Sequence, residues 1–258
     1  FSQNYGDHFK KVADSLYFMS DFSKSSFYYE KAMDYFLAES NWVKYFKCSS
    51  FIGFNYCEMG NLDKAEKYIT DAINKSYKIN NEENLQSADL ITILGIVYDL
   101  KGNYDKALFN YNQSLKTLLK LSSGNNSDIA GLYNNIGLSY INKGDFELAE
   151  SYIRKSLDVN FNFAEIDSEK LGDCYNNLGI IFWSTEEYNK SLSFFEKSLA
   201  VRKTIYSYNH PSISVLYNNM GLIYKALNNY RNAIEHYTLS LNLRIEKLGM
   251  NHPDLIQN

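Results

Sequence analysis

The chain has 258 residues, a formal charge of −4 and a pI near 5.6. It carries no Lys/Arg-rich run, so nucleic acid is not an expected partner, because non-specific affinity for phosphates comes mainly from basic side chains. The longest apolar run, 90–97, includes Thr92 and Gly95 and is too short to cross a bilayer.

The first predicted element is a helical hairpin over about 6–41. Phe9, Ala13, Leu16, Phe22, Ser25, Tyr29 and Ala32 set its pattern. Spacings of three, four and seven place apolar side chains on one stripe of a helix. From residue 53 the pattern tightens into a comb: Gly53, Gly95, Gly137, Gly179 and Gly221, each 42 residues from the last. A fixed period of this size signals stacked near-identical units. They are predicted over 46–82, 88–124, 130–166, 172–208 and 214–250. An aromatic follows each glycine by three: Tyr56, Tyr98, Tyr140, Phe182 and Tyr224. A small residue follows by twelve (Ala65, Ala107, Ala149, Ser191, Ala233) and a large one by sixteen (Ile69, Tyr111, Ile153, Phe195, Tyr237). Then comes a small-plus-aliphatic pair, as in Ser114-Leu115, Ser156-Leu157 and Ser198-Leu199. Turn residues such as Gly60-Asn61, Gly102-Asn103 and Gly144-Asp145 split each unit into two helices. Glycine on the first helix and Ala or Ser on the second let the backbones approach closely. Both prolines fall in linkers, as expected where helix interiors exclude proline. His252-Pro253-Asp254, one period after His210-Pro211-Ser212, opens a further first helix over 251–258. The chain begins at Phe1 and not Met, so both ends read as cut from a longer protein.

Over almost the whole chain this pattern resembles the tetratricopeptide repeat (TPR) family, whose usual period is about 34 residues. The extra eight residues per unit add roughly 12 Å of helix if all are helical. The long form is similar to the kinesin-light-chain subtype, on Leu199-Ala200-Val201-Arg202-Lys203 with Asn209-His210-Pro211, and on Leu241-Asn242-Leu243-Arg244 with Asn251-His252-Pro253. The resemblance implies an all-α fold: a right-handed superhelical solenoid of antiparallel helix pairs, six repeats plus a truncated seventh, forming one domain over 1–258. It also implies that first helices line a concave groove, the face such arrays present to partners.

No catalytic device is expected. The chain contains no GxSxG, Walker loop, HExxH or GxGxxG. His210 and His252 recur in register before proline, as linker residues do, and Cys174 has no histidine within a helical turn. Cys48 and Cys57 lie nine apart on one predicted helix, on opposite sides, and share neither a disulfide nor a metal. No cofactor or metal is expected, and free thiols favour a cytoplasmic location.

The functional signal lies in three asparagine doublets one period apart: Asn134-Asn135, Asn176-Asn177 and Asn218-Asn219. Asparagine is a poor helix-interior residue, so propensity does not explain them. The resemblance implies that the first of each pair faces the groove and the second approaches the neighbouring helix. A primary amide offers one acceptor and an NH₂ donor, matching the polar atoms of an extended backbone. Asn134, Asn176 and Asn218 are therefore expected to hold a peptide's main chain. Leu138, Ile141, Ile180, Trp183, Leu222 and Lys225 are the expected side-chain contacts, with Trp183 as the aromatic anchor. Two bland readings stay open: the amides satisfy one another between units, and Trp183 packs into the core. Asp89 and Asp173 share a groove slot and bias it towards basic or amphipathic ligands. Lys10, Lys11, Lys47 and Lys225 read as scattered, which argues against the TPR class that clamps a partner's carboxylate tail.

The expected function is a non-enzymatic protein-protein interaction scaffold that holds an extended peptide or a partner helix. The alternative is a regulatory arm of a larger signalling enzyme, a protease or kinase, with its chemistry outside this segment. A peptide-pheromone receptor is a third reading. Self-association through the array ends is also open.

Overall fold

A computed structural model describes residues 5–80, 84–121, 127–162 and 166–248. The further first helix expected over 251–258 lies outside them. Among the described residues there are twelve helices and no strand: α1 (Tyr5–Phe18), α2 (Phe22–Ala38), α3 (Trp42–Glu58), α4 (Leu62–Asn80), α5 (Leu85–Leu100), α6 (Tyr104–Leu121), α7 (Ser127–Lys143), α8 (Phe146–Phe161), α9 (Ser168–Ser184), α10 (Tyr188–Ile205), α11 (Pro211–Ala226) and α12 (Tyr230–Leu248). They are the predicted helix pairs, and the all-α repeat architecture follows. The chain divides into two compact units, Phe1–Gly124 with α1–α6 and Asn125–Asn258 with α7–α12.

The helix endings turn the chain back on itself. Each first helix closes on one residue in the left-handed region: Ser20 (φ 60°), Gly60 (71°), Gly102 (73°), Gly144 (80°), Glu186 (61°) and Asn228 (57°). The next residue donates its N–H to the carbonyl five positions back, as in Asn61 to Tyr56 (2.9 Å), Asp145 to Tyr140 (2.9 Å) and Asn229 to Tyr224 (2.8 Å). These bonds satisfy carbonyls that a helix end would otherwise leave unpaired. In several hairpins that donor also caps the second helix. The Asp145 carboxylate accepts from Leu148 N, and the Asn103 amide oxygen from Lys106 N, both at 3.2 Å. A two-residue signal thus ends one helix and starts the next.

The glycine comb is a packing device. A Cβ at Gly95 would meet Tyr111 Cε1 at 2.5 Å, at Gly137 Ile153 Cδ1 at 2.5 Å, and at Gly179 Phe195 Cε1 at 2.6 Å. The large residue sixteen positions on packs against each glycine, which explains why the two positions recur together. Serines of the second helices add a bond the spacing did not announce. Ser114 donates to Ala88 O (2.8 Å), Ser156 to Ala130 O (2.7 Å) and Ser198 to Gly172 O (2.7 Å), all fully buried. Each satisfies its own hydroxyl and ties the second helix to the start of the first.

In unit 1 the core runs from Ala13, Tyr29 and Phe36 through Cys48 and Ile52 to Val97, with a second cluster around Phe46, Ile69 and Leu90. In unit 2, Ile153, Leu157, Cys174, Leu178 and Phe182 form one cluster. Phe195, Leu199, Ile213, Leu216, Met220 and Ile223 form the other. Both unit 2 clusters join a hairpin to the first helix of the next, so helix pairing and repeat stacking share their side chains.

Candidate functional site

The three nominated asparagines stand at equivalent positions of α7, α9 and α11, all half-buried, but their amides are used unequally. Asn134 Oδ1 accepts from Asn177 Nδ2 (3.0 Å) and from the Cys174 thiol (3.6 Å). The second asparagine of one doublet thus reaches back to the first of the preceding doublet. Asn176 Nδ2 donates to Asn177 Oδ1 (3.3 Å), and the Asn176 oxygen has no partner among the described residues. Asn218 has no hydrogen-bond partner among the described residues. Engagement falls along the series. Asn134 spends its acceptor on the stack, while Asn218 keeps its whole amide for solvent or a ligand.

The nominated apolar residues divide by burial. Leu138 and Leu222 are 37% and 39% exposed, and Lys225 is also exposed. Ile141 is half-buried against the Ile153 cluster. Ile180 and Trp183 are half-buried against the Phe195 cluster, with the Trp183 ring 5.3 Å from that of Tyr188. Each of these two therefore lends one side to packing. Asn218, Leu222 and Lys225 come together with Ile234, Tyr237 and Leu241 of α12 in an open groove of about 580 Å³.

Two readings of charge are corrected. Lys10, Lys11 and Lys47 are not scattered: they join Lys44 around one groove of about 460 Å³ formed by α1, α3 and the start of α5 in unit 1. Lys44 binds both carboxylate oxygens of Asp7 at 2.7 Å, and Lys10 binds Asp14 at 2.9 Å, while Lys11 and Lys47 have no ion pair among the described residues. Sequence reasoning missed Lys44, because its partner lies 37 positions away and no motif links them. Asp173, in turn, is taken by Arg202 at 2.5 Å, and that guanidinium also donates to Ser198 Oγ (3.3 Å). It is not a free anion for a basic ligand.

Cys48 and Cys174 are buried packing groups, and Cys57 is half-buried. Burial pushes the Cys174 thiol up to about 11 and the Cys48 thiol up to about 12, so both stay protonated at neutral pH. Among the described residues no group of His, Cys, Asp and Glu is arranged to hold a metal ion, and no helix is long and apolar enough to cross a membrane.

Antiparallel helix pairs, a glycine at five of the six crossings and polar side chains recurring along the first helices define a helical-repeat protein. The chain belongs to the tetratricopeptide-repeat family: the family described as Tetratricopeptide repeat matches residues 48–120, 128–204 and 174–246. Solved structures agree on the fold. BtubC (BKLC) from P. vanneervenii is 20% identical, with a TM-score of 0.71 over 97% of this chain and 95% of its own. The apo form of RapI is 17% identical, with a TM-score of 0.70 over 95% and 87%. A putative kinesin light chain from Podosopora anserina, with nearly identical TPR-like repeats, is 12% identical, with a TM-score of 0.61 over 78% and 95%. No curated protein matches the sequence.

Proposed function

We propose that this protein is a non-catalytic binding scaffold whose first helices hold an extended peptide by its main chain. The observation that carries the reading is the open amide of Asn218, in register with the half-used amide of Asn176. Both sit beside apolar side chains, Leu222 and Ile180, that can receive a ligand's side chains. An amide pairs with a peptide group in both directions, so such contacts hold a backbone without reading its sequence. Leu138, Ile141, Trp183 and Lys225 would then set preference, and Asn134 would bind through its NH₂ alone. We read 1–258 as one repeat array. A fold relative, Cut9, assembles with another protein, Hcn1, which is consistent with a binding role.

The test is selection of peptides from a random display library on the 1–258 chain, followed by titration. Replacing Asn176 and Asn218 together by Ala weakens the selected peptides tenfold or more, if each contact is worth about 1 kcal/mol. Unchanged affinity removes the amides from the mechanism.

A further inference from the structure

The groove of about 460 Å³ in unit 1 crosses three successive first helices, α1, α3 and the start of α5, so it does not lie at an end of the stack. Helical spacing builds its walls. Asp7, Lys10, Lys11 and Asp14 share one face of α1, and Val43, Lys44, Lys47 and Ser50 share one face of α3. The Phe51 ring holds an ammonium from each helix, with Lys10 Nζ 5.6 Å and Lys47 Nζ 5.8 Å from its centroid. That ring is fixed in turn by stacking on Tyr29 at 5.1 Å. The charges in the groove are unequally used. Asp7 takes Lys44, and Asp14 takes Lys10 together with the Tyr29 hydroxyl (2.7 Å). Lys11 and Lys47 are exposed and have no ion pair among the described residues, so α1 and α3 each present one positive charge that no neighbouring carboxylate offsets.

We propose that this groove binds the phosphorylated side chain of a phosphoserine or phosphothreonine in a partner protein. Lys11 and Lys47 pair with the phosphate oxygens. Lys10 and Lys44 turn towards the same group, because half-exposed ion pairs cost little to rearrange. Two leftover ammoniums match a dianion. A phosphate monoester carries about −1.5 to −2 at neutral pH and offers three strong acceptor oxygens, whereas one carboxylate leaves a lysine over. The residue type agrees: all four cations are lysines, and the chain has no arginine before Arg154. An ammonium is a point charge with three rotatable donors, which suits a tetrahedral phosphate, while the planar fork that matches a carboxylate belongs to arginine. Val43, 61% exposed on the groove wall, receives an apolar neighbour of the phosphorylated residue. Phosphorylation of the partner thus gates its capture by unit 1.

Extended polyanions are poorer occupants. Asp7, Asp14 and Asp89 line the same groove. A run of acidic residues, a nucleic-acid backbone or an anionic membrane would press its charges on these carboxylates as well as on the two unpaired lysines. A single dianion, placed between Lys11 and Lys47, avoids that repulsion. The site is built from unit 1 alone and does not rest on the amides of unit 2.

The test is retention of the 1–258 chain on three immobilised degenerate peptide libraries, identical except for a central phosphoserine, glutamate or serine. At about 0.15 M ionic strength, where long-range attraction between exposed charges is screened, the phosphoserine library is expected to retain roughly tenfold more chain than either of the others. Lys11→Ala/Lys47→Ala abolishes that preference. Lys67→Ala/Lys78→Ala, an equal loss of charge from exposed lysines of α4 outside the groove, keeps it. Asn176→Ala/Asn218→Ala keeps it too, so a failure of the amide mechanism shows separately. Circular dichroism checks that each variant retains its helix content. Equal retention on the phosphoserine and glutamate libraries overturns the proposal, since the groove then accepts any acidic side chain. An equal loss in the two lysine double variants overturns it as well, because net charge and not the groove is then being read. So does binding to vesicles containing phosphatidic acid that Lys11→Ala/Lys47→Ala abolishes, which would give the groove to a membrane surface.

Discussion

At the scale of single residues the chain contains two kinds of repeated position, and they respond differently to change. The comb glycines are fixed by contact. At Gly137 an added Cβ would sit 2.5 Å from Ile153 Cδ1 and 3.2 Å from the carbonyl oxygen of Ala149. Backbone cannot yield as a side-chain tip does, so Gly137→Ala is expected to destabilise unit 2 by about 1–3 kcal/mol, the usual cost of overpacking; denaturant titration measures it. The doublet asparagines are fixed by partners, and only some have them. Asn134→Ala removes the acceptor of Asn177 and Cys174 and costs about 1 kcal/mol. Asn218→Ala removes no bond and stays within about 0.5 kcal/mol of wild type. Equal losses at the two sites would mean that Asn218 is also a structural bond.

These residues also show how far the sequence can be read. A glycine and the large residue sixteen positions later meet inside one hairpin, so the comb alone predicts their contact. The bond from Asn177 to Asn134 spans two hairpins and depends on how far one first helix is rotated on another. Nothing in the doublet says which amide reaches back. The cluster of Lys10, Lys11, Lys44 and Lys47 was hidden for the same reason: two helices contribute two cations each, and only stacking brings them to one groove.

At the scale of elements the turn pair, one left-handed residue and one cap, decides where each hairpin folds. Five of the six intra-hairpin turns use Gly, Asn or Ser at the left-handed position, and the α9–α10 turn uses Glu186 (φ 61°). Its following residue, Glu187, makes no side-chain cap to α10. The turn is therefore the weakest local signal of unit 2 and is held by the helices it joins. Glu186→Gly is expected to stabilise the chain by about 1 kcal/mol, because glycine adopts that conformation without strain. The measurement is the denaturation midpoint, and an unchanged or lower value would show that Glu186 contributes more through its surroundings than its backbone costs. Helix existence, order and turning points were legible because periodicity and turn chemistry are local signals. The serine bonds from α6, α8 and α10 to the starts of α5, α7 and α9 were not, since a serine at a crowded crossing reads first as a small residue.

At the scale of the whole molecule, recurrence itself carries the functional argument. A single polar side chain on a helix has many explanations, whereas the same amide three times at one period would offer a ligand a graded series: a whole amide at Asn218, part of one at Asn176 and an NH₂ alone at Asn134. An extended peptide repeats its own polar atoms about every 3.3 Å, so it can meet successive amides without a matching sequence. The most direct measurement is a double-mutant cycle between protein and ligand. A peptide selected on the wild-type chain is resynthesised with single ester bonds in place of successive amides, and each version is titrated against the wild-type and Asn218→Ala chains. If the Asn218 amide grips the main chain, one ester weakens binding to wild type but not to Asn218→Ala, with a coupling of about 1 kcal/mol. If every ester and the substitution add independently, the amide does not touch the ligand's backbone and the scaffold recognises its partner by other means.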